Sequence, residues 1–241
     1  IMLKISRSAV EKYINCQRCF YLEYKHKIRP KTMPFTLNIA VDHIVKTEFD
    51  HYRAKKEPHP IFLEHNIDAV PFAHEKMDEW RENFKGLRYI DEEKGFNFGG
   101  AVDDIWQKPN GELIVIDVKA TAKKVFDWED TYSKWEYAKG YRRQIEMYQW
   151  LLKKNGFEVA PEGYLLYYNG KKDVPMFNQK IEFDVHLIKL DCSTDWVEQA
   201  ILDAKSTLEG DMPKSSPSCE NCNYLKKRWK ISQKDPKELL G

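Results

Sequence analysis

The run Leu113-Ile114-Val115-Ile116-Asp117-Val118-Lys119 constrains this chain more than any other stretch. Four consecutive branched apolar residues are too uniform for a strand with one wet face, so the strand should be covered on both sides. It then ends in a carboxylate and an ammonium. Alternation puts Asp117 and Lys119 on the same side, with Leu113 and Val115 behind them. Burying either charge is costly unless it pairs or meets a ligand. The chain therefore needs a layered sheet and a partner for that charged strand end.

The flanking patterns supply the layers. Residues 6–23 read as a helix capped by Ser6 or Ser8, with Val10, Tyr13, Ile14, Phe20 and Tyr21 as its apolar stripe. Residues 36–53 read as a second helix, with Leu37, Val41, Ile44, Val45, Phe49 and Tyr52 at helical spacing. The basic stretch 25–34 is expected to loop, 58–71 to be irregular, and 75–84 to form a short amphipathic helix. Strands follow at 96–106 and 111–119, joined through the hairpin signal Asn110-Gly111. A helix at 141–153 ends at Asn155-Gly156, strands lie at 164–168 and 180–190, and a last helix at 194–208. This order predicts an α/β (α+β) fold in which a central mixed sheet is flanked by helices. One domain over residues 2–241 is the simplest organisation, with a core at about 36–190 and terminal segments 2–35 and 191–230.

Of 241 residues, 42% are hydrophobic and 32% charged, enough for a real core under a wet surface. No apolar run of eighteen residues occurs, and no apolar segment follows Met2-Leu3-Lys4-Ile5-Ser6, so a cytoplasmic protein without a membrane span or signal peptide is expected. The net charge of +1 neither demands nor excludes a nucleic acid partner, since a local basic patch suffices. Lysines and arginines cluster at 25–31, at Lys119 with Lys123 and Lys124, at Lys171-Lys172 and at Lys226-Lys227-Arg228. Each cluster also suits a plain solvated surface.

Asp103 follows Gly100-Ala101-Val102 in the neighbouring strand, so it and Asp117 can converge on one point. Two such carboxylates repel one another and make a natural site for a hard divalent cation, Mg2+ or Mn2+. That ion would activate a water and stabilise charge on a phosphate, with Lys119 orienting the water or neutralising the charge. A salt bridge between Lys119 and an aspartate at the sheet edge accounts for the same residues equally well.

In order along the chain, Gly100-Ala101-Val102-Asp103, Ile116-Asp117-Val118-Lys119 and Gln144-Ile145-Glu146-Met147-Tyr148 resemble three motifs of one family. These are the G-x-x-D strand, D-x-K strand and Q-x-x-x-Y helix of the RecB-type branch of the PD-(D/E)XK nuclease superfamily. The resemblance covers roughly residues 6–228. It implies a restriction-endonuclease-like core in which Asp103, Asp117 and the backbone carbonyl of Val118 hold the metal and Lys119 faces the reacting phosphate. By the same resemblance Gln144 and Tyr148 position the metal site and the DNA strand. The implied activity is a Mg2+- or Mn2+-dependent nuclease, above all an exonuclease, acting on single-stranded or duplex DNA ends in repair, recombination or CRISPR-adaptation-like processing. No P-loop G-x-x-x-x-G-K-[ST] is present, so a helicase or other recombination or adaptation partner would be a separate protein. An RNA-directed nuclease and a non-catalytic nucleic-acid-binding module that keeps the fold are the alternatives.

Enzymes of this branch carry G-x-x-x-H in an early helix, with the histidine as a metal ligand. Here the matching stretch is Asn38-Ile39-Ala40-Val41-Asp42, followed by His43. At 100° per residue Asp42 falls within about 20° of Phe49 on the apolar side, whereas His43 aligns with Lys46, Thr47 and Asp50 on the polar face. Asp42 is therefore the expected third acidic ligand, with His43 as the alternative.

Five cysteines in a chain without an export signal point to metal or reactive chemistry more than to disulfides. Cys16 and Cys19, with Cys219 and Cys222, make two C-x-x-C pairs suited to zinc or an iron–sulfur cluster, while Cys192 is expected in the core. Residues 6–21, ending in Cys16-Gln17-Arg18-Cys19-Phe20-Tyr21, resemble the N-terminal C-P-x-x-F-Y segment of the iron–sulfur nucleases. Those include the AddB-type helicase–nuclease subunit and the CRISPR-adaptation exonucleases, in which one early cysteine joins three late ones. The resemblance implies a [4Fe-4S] cluster that joins the N- and C-terminal segments. Arg228 stands near the third late position, so the arrangement here is two plus two, and Zn2+ is the alternative occupant.

Overall fold

A computed structural model describes residues 2–31, 33 and 35–232. The chain divides into two compact units, one made of Ile1–Arg7 with Pro34–Val197 and the other of Ser8–Met33 with Glu198–Gly241. In chain order the first elements are β1 (Leu3–Ser6), α1 (Arg7–Asn15), α2 (Gln17–His26), α3 (Thr36–Lys55), α4 (Pro60–Glu64), β2 (Val70–Pro71) and α5 (Met77–Arg81). Next come β3 (Leu87–Asp91), β4 (Phe96–Gly100), β5 (Asp104–Gln107), β6 (Leu113–Thr121), α6 (Trp128–Lys134) and α7 (Glu136–Lys154). The chain continues with β7 (Val159–Gly170), β8 (Phe183–Asp191), α8 (Val197–Glu209) and α9 (Glu220–Ser232).

The first unit contains two mixed sheets, β1-β4-β3 and β2-β5-β6-β7-β8. Strand β6 runs antiparallel to β5 and parallel to β7, and every residue from Leu113 to Val118 is buried. The uniform apolar run thus has the two-sided cover it requires. Ile114, Ile116 and Val118 pack with Val41, Val45 and Phe49 of α3 and with Trp106 of β5. Asp117 points to the opposite face, where Gln144 of α7 meets it. The β5–β6 hairpin turns through Gly111 at φ +92°, a conformation that favours glycine.

Several local expectations fail for identifiable reasons. Residues 6–23 are not one helix: Ser6 ends β1, which pairs in parallel with β4, and Cys16 in an extended conformation separates α1 from α2. Residues 25–34 do not loop throughout, since α2 reaches His26 before Lys27 caps it at φ 60°. Residues 58–71 are not irregular throughout, because they hold α4 and the short β2.

Residues 96–106 do not form one strand. The chain breaks at 101–103, sending β4 and β5 into different sheets. Just past the break, Asp104 is fully buried and accepts from Arg53 Nη2 at 2.5 Å and Arg81 Nη2 at 2.8 Å. Burial raises its pKa, and the two guanidiniums offset that only in part. Strand β3 and helices α6 and α9 had no counterpart in the patterns. Within α3 the buried stripe is Val41, Val45, Phe49 and Arg53, while Leu37 and Ile44 lie exposed.

The second unit is helical among its described residues. Ala9, Val10, Phe20 and Tyr21 are buried, and the Phe20 ring contacts Tyr13 and Tyr24. Helix α8 buries Ile201 and Ala204. No described helix is long and apolar enough to cross a membrane.

Candidate active site and four-cysteine centre

The break before β5 and the end of β6 bring acidic groups together. Asp103 is held from two sides: the Val118 N–H donates to its Oδ2 at 2.9 Å, and Lys46 Nζ to its Oδ1 at 3.2 Å. Lys46 also donates to Asp42 Oδ2 at 2.8 Å, so one ammonium bridges α3 to the sheet. Asp117 is wholly buried, accepts from Gln144 Nε2 at 2.6 Å and forms an ion pair with Lys119 through Oδ2. That pairing lacks hydrogen-bond geometry, because Asp117 Oδ2, like Asp42 Oδ1, is buried without a hydrogen-bond partner. The Lys119 ammonium lies 4.6 Å from the centre of the Tyr141 ring.

These contacts set the protonation states. Burial pushes Asp117 up to about 7, against the pull of Lys119 and with the help of Asp103. Burial also acts on Asp103, yet Lys46 and Lys119 win and hold it below the ordinary carboxylate range. Asp42 is raised by burial and by Asp103, against Lys46. Burial disfavours the Lys119 charge, but Asp117 and Asp103 outweigh it and keep the lysine above its usual value. Asp103 is thus the acid that keeps its charge most readily, and Asp117 the one that takes up a proton first as pH falls towards 7.

Tyr148, four residues after Gln144, is buried beside Arg7. Burial opposes the Arg7 charge, while Tyr148, Asp117 and Asp103 favour it strongly enough to raise its pKa above the usual arginine value. Gly100 makes this approach possible. A Cβ there would fall 2.9 Å from Tyr148 Cε1 and 3.1 Å from Arg7 Cβ, too close for either to stay in place.

Of the residues singled out from sequence, Asp103, Asp117, Lys119, Gln144 and Tyr148 lie around the end of β6, and Asp42 joins them through Lys46. His43 is exposed. Two site residues were missed. Lys46 counted as polar-face on the helix, although its spacing of four from Asp42 was a usable signal. Arg7 had none, because only the pairing of β1 with β4 carries it there.

In the second unit the Sγ atoms of Cys16, Cys19, Cys219 and Cys222 all lie within 4.8 Å of one another. Cys19 is 3.4 Å from both Cys219 and Cys222, and Cys16 is 3.8 Å from Cys222. Burial would raise the Cys16 thiol, but donors from the backbone of Ser216 and Cys19 bring it down to about 7. Burial pushes Cys222 up to about 11 and Cys19 higher still. Four thiols this close compete for protons, so the ionisation of each depends on the others. Cys192 stands apart, half-buried, with its thiol pushed up to about 12 by burial.

The family model of the PD-(D/E)XK nuclease superfamily matches residues 36–226, a span that runs through both units. No curated protein matches the sequence. Among solved structures, SSO0001 is 16% identical with a TM-score of 0.42, over 87% of this chain and 78% of that one. A candidate exonuclease from Eubacterium rectale is 14% identical with a TM-score of 0.41, over 92% and 87%. The alkaline exonuclease of Laribacter hongkongensis is 11% identical with a TM-score of 0.39, over 86% of each chain.

Proposed function

The chain belongs to the PD-(D/E)XK nuclease superfamily, and from that premise we propose that it is a divalent-metal-dependent exonuclease that hydrolyses phosphodiester bonds at DNA ends. The observation that carries this reading is the convergence of Asp103, Asp117, Lys119 and Gln144 at the end of β6. The two compact units serve as one nuclease domain, because the family match runs through both. The same reading extends to DNA ends met in repair, recombination or adaptation-like processing, where a helicase partner would supply unwound strands.

The donor set fits Mg2+ or Mn2+. Asp42 Oδ1 is a buried acceptor without a partner, and the surrounding ligands are hard carboxylate oxygens. Asp42, Asp103, Asp117 and the Val118 carbonyl would hold the ion. Lys46 already balances the two carboxylates it bridges, supplying the positive charge the ion would bring. Bound there, a divalent ion lowers the pKa of a water and stabilises charge on the scissile phosphate.

The protein's own groups do the rest. Gln144 fixes one oxygen of Asp117, which leaves the other directed at Lys119. Lys119, braced against the Tyr141 ring, presents its ammonium to the attacking water or to a phosphate oxygen. Tyr148 and Arg7 set the rear wall of the site.

For the cysteines, the separations favour a single tetrahedral ion, zinc, over the [4Fe-4S] cluster that the motif resemblance implies. A Zn–S bond of roughly 2.3 Å gives thiolates about 3.8 Å apart, close to the 3.4 and 3.8 Å between the Sγ atoms. A four-iron cluster binds each thiolate to a different iron and would hold them farther apart. A closed four-thiolate shell is structural, joining α1 and α2 to α9.

One experiment tests the activity. Labelled single-stranded DNA, duplex DNA and RNA are incubated with Mg2+ or Mn2+, with and without EDTA. Stepwise shortening of DNA that EDTA stops is expected; digestion of RNA alone, or of nothing, contradicts the reading. Metal analysis decides the cysteine site, with one zinc in a colourless protein expected and iron with sulfide opposing it.

A further inference from the structure

The turn joining β7 to β8 exposes apolar side chains that the fold itself does not use. Met176 and Phe177 are 68% and 67% exposed, and the left-handed Asn178 and Gln179 follow them directly. Leu37, at a stripe position of α3, is 59% exposed. Contiguous apolar surface of this kind on a polar protein marks a binding site.

Leu37, Met176 and Phe177 line one cavity of about 480 Å³. Its lining includes Ala120 and Thr121 at the end of β6 and Ala122 just beyond, the three residues that follow Lys119 along the chain. Asn38 Nδ2 donates to the Ala120 carbonyl at 3.2 Å and ties the start of α3 to that strand end. Lys171, Lys172 and Lys180 also line it, and no carboxylate does so among the described residues. Asp184 and Glu182 pair with Lys171 and Lys180, but these exposed pairs are weak and easily exchanged for phosphate.

Aromatic and apolar walls beside several ammonium groups match a nucleotide whose base is free to stack. The volume lies within the range of pockets that bury a small ligand, about 300–1,000 Å³. A base in a duplex is stacked and paired, so its faces are not available to Phe177 or Phe183. We propose that this cavity binds the unpaired nucleotides next to the scissile phosphate, making single-stranded ends the substrate. The proposal rests on the nuclease reading for the scissile phosphate and on the cavity for its choice of strand.

Binding is measured by fluorescence anisotropy with oligothymidylate in EDTA, where nothing is cut. Phe177→Ala, at an exposed position, is expected to weaken binding roughly 5- to 150-fold, the effect of losing one stacked base. An abasic oligonucleotide should bind the unaltered protein with a similar loss, and Phe177→Ala should add little to it. Lys172→Ala should reduce the slope of log affinity against log salt by about one. Unchanged oligothymidylate binding by Phe177→Ala overturns the proposal, as does duplex bound as tightly as single strand. A variant that changes only the oligomeric state assigns the apolar tip to a protein interface, which also overturns it. Phe177-dependent binding in a protein that cleaves no nucleic acid sinks the nuclease reading and leaves the cavity. Cleavage at unaltered affinity in Phe177→Ala does the reverse.

Discussion

Gln144 donates from Nε2 to Asp117 Oδ1 at 2.6 Å, across the interface between α7 and β6. The bond fixes one carboxylate oxygen of a fully buried acid and so decides where the other points. Gln144→Ala should leave the fold intact and lower metal affinity or turnover by about 10- to 100-fold, the usual effect of losing a group that orients a ligand. Steady-state kinetics over a range of Mn2+ concentrations would detect it. An effect confined to thermal stability would count against a positioning role.

Asp42 and His43 are adjacent on α3 but differ in surroundings. Asp42 is half-buried, with an unpartnered Oδ1, whereas His43 is exposed. Calorimetric titration with Mn2+ should find weaker binding for Asp42→Asn and near-normal binding for His43→Ala. A selective loss in the histidine variant would reverse the assignment.

Asp103 and Asp104 are neighbours with opposite duties. Asp104 neutralises the buried Arg53 and Arg81. Removing it strands those charges, so Asp104→Ala should cost roughly 3–5 kcal/mol in urea unfolding. Asp103→Asn should cost far less stability and should impair activity instead.

His59 caps α4 by accepting the Ile61 N–H on Nδ1 at 3.2 Å, which leaves Nε2 to donate to Glu48 at 3.1 Å. Burial lowers its pKa below the ordinary histidine value, although Glu48 opposes this. The sign follows directly. A depressed folded pKa gives stability that is present above the unfolded pKa of about 6.5 and lost as pH falls through the lower folded value. Melting temperature should therefore drop on acidification below about pH 6.5, and His59→Asn, which keeps a cap acceptor, should flatten that part of the profile. Identical profiles for the two proteins would refute the assignment.

The sheet centre and most of the acidic site were legible because they concentrate in short windows. The Leu113–Ile116 run demands cover on both faces, and Gln144 and Tyr148 share a helical face by spacing alone. Two basic residues at the site were not legible. Lys46 sits on a helix edge that a wheel assigns to solvent, and its inward turn depends on Asp103, fifty-seven positions away. Arg7 arrives only because β1 pairs with β4. The break at 101–103 was equally hidden, since Arg53, Arg81 and Val118 together anchor Asp103 and Asp104 to different surroundings. Two C-x-x-C pairs pointed to four converging thiols, which the structure brings together, but their spacing could not distinguish one ion from a cluster. Only the short Sγ separations bear on that choice.

The most direct measurement compares DNA cleavage by the unaltered protein and by Asp117→Ala in Mn2+, with circular dichroism confirming that both are folded. On the proposed reading Asp117 would supply negative charge to the bound ion, and losing metal stabilisation worth several kcal/mol should reduce the rate by about a thousandfold or more. EDTA-sensitive cleavage by the unaltered protein and none above background in the variant is the predicted result. A folded Asp117→Ala that cleaves at the unaltered rate would contradict the site at the end of β6.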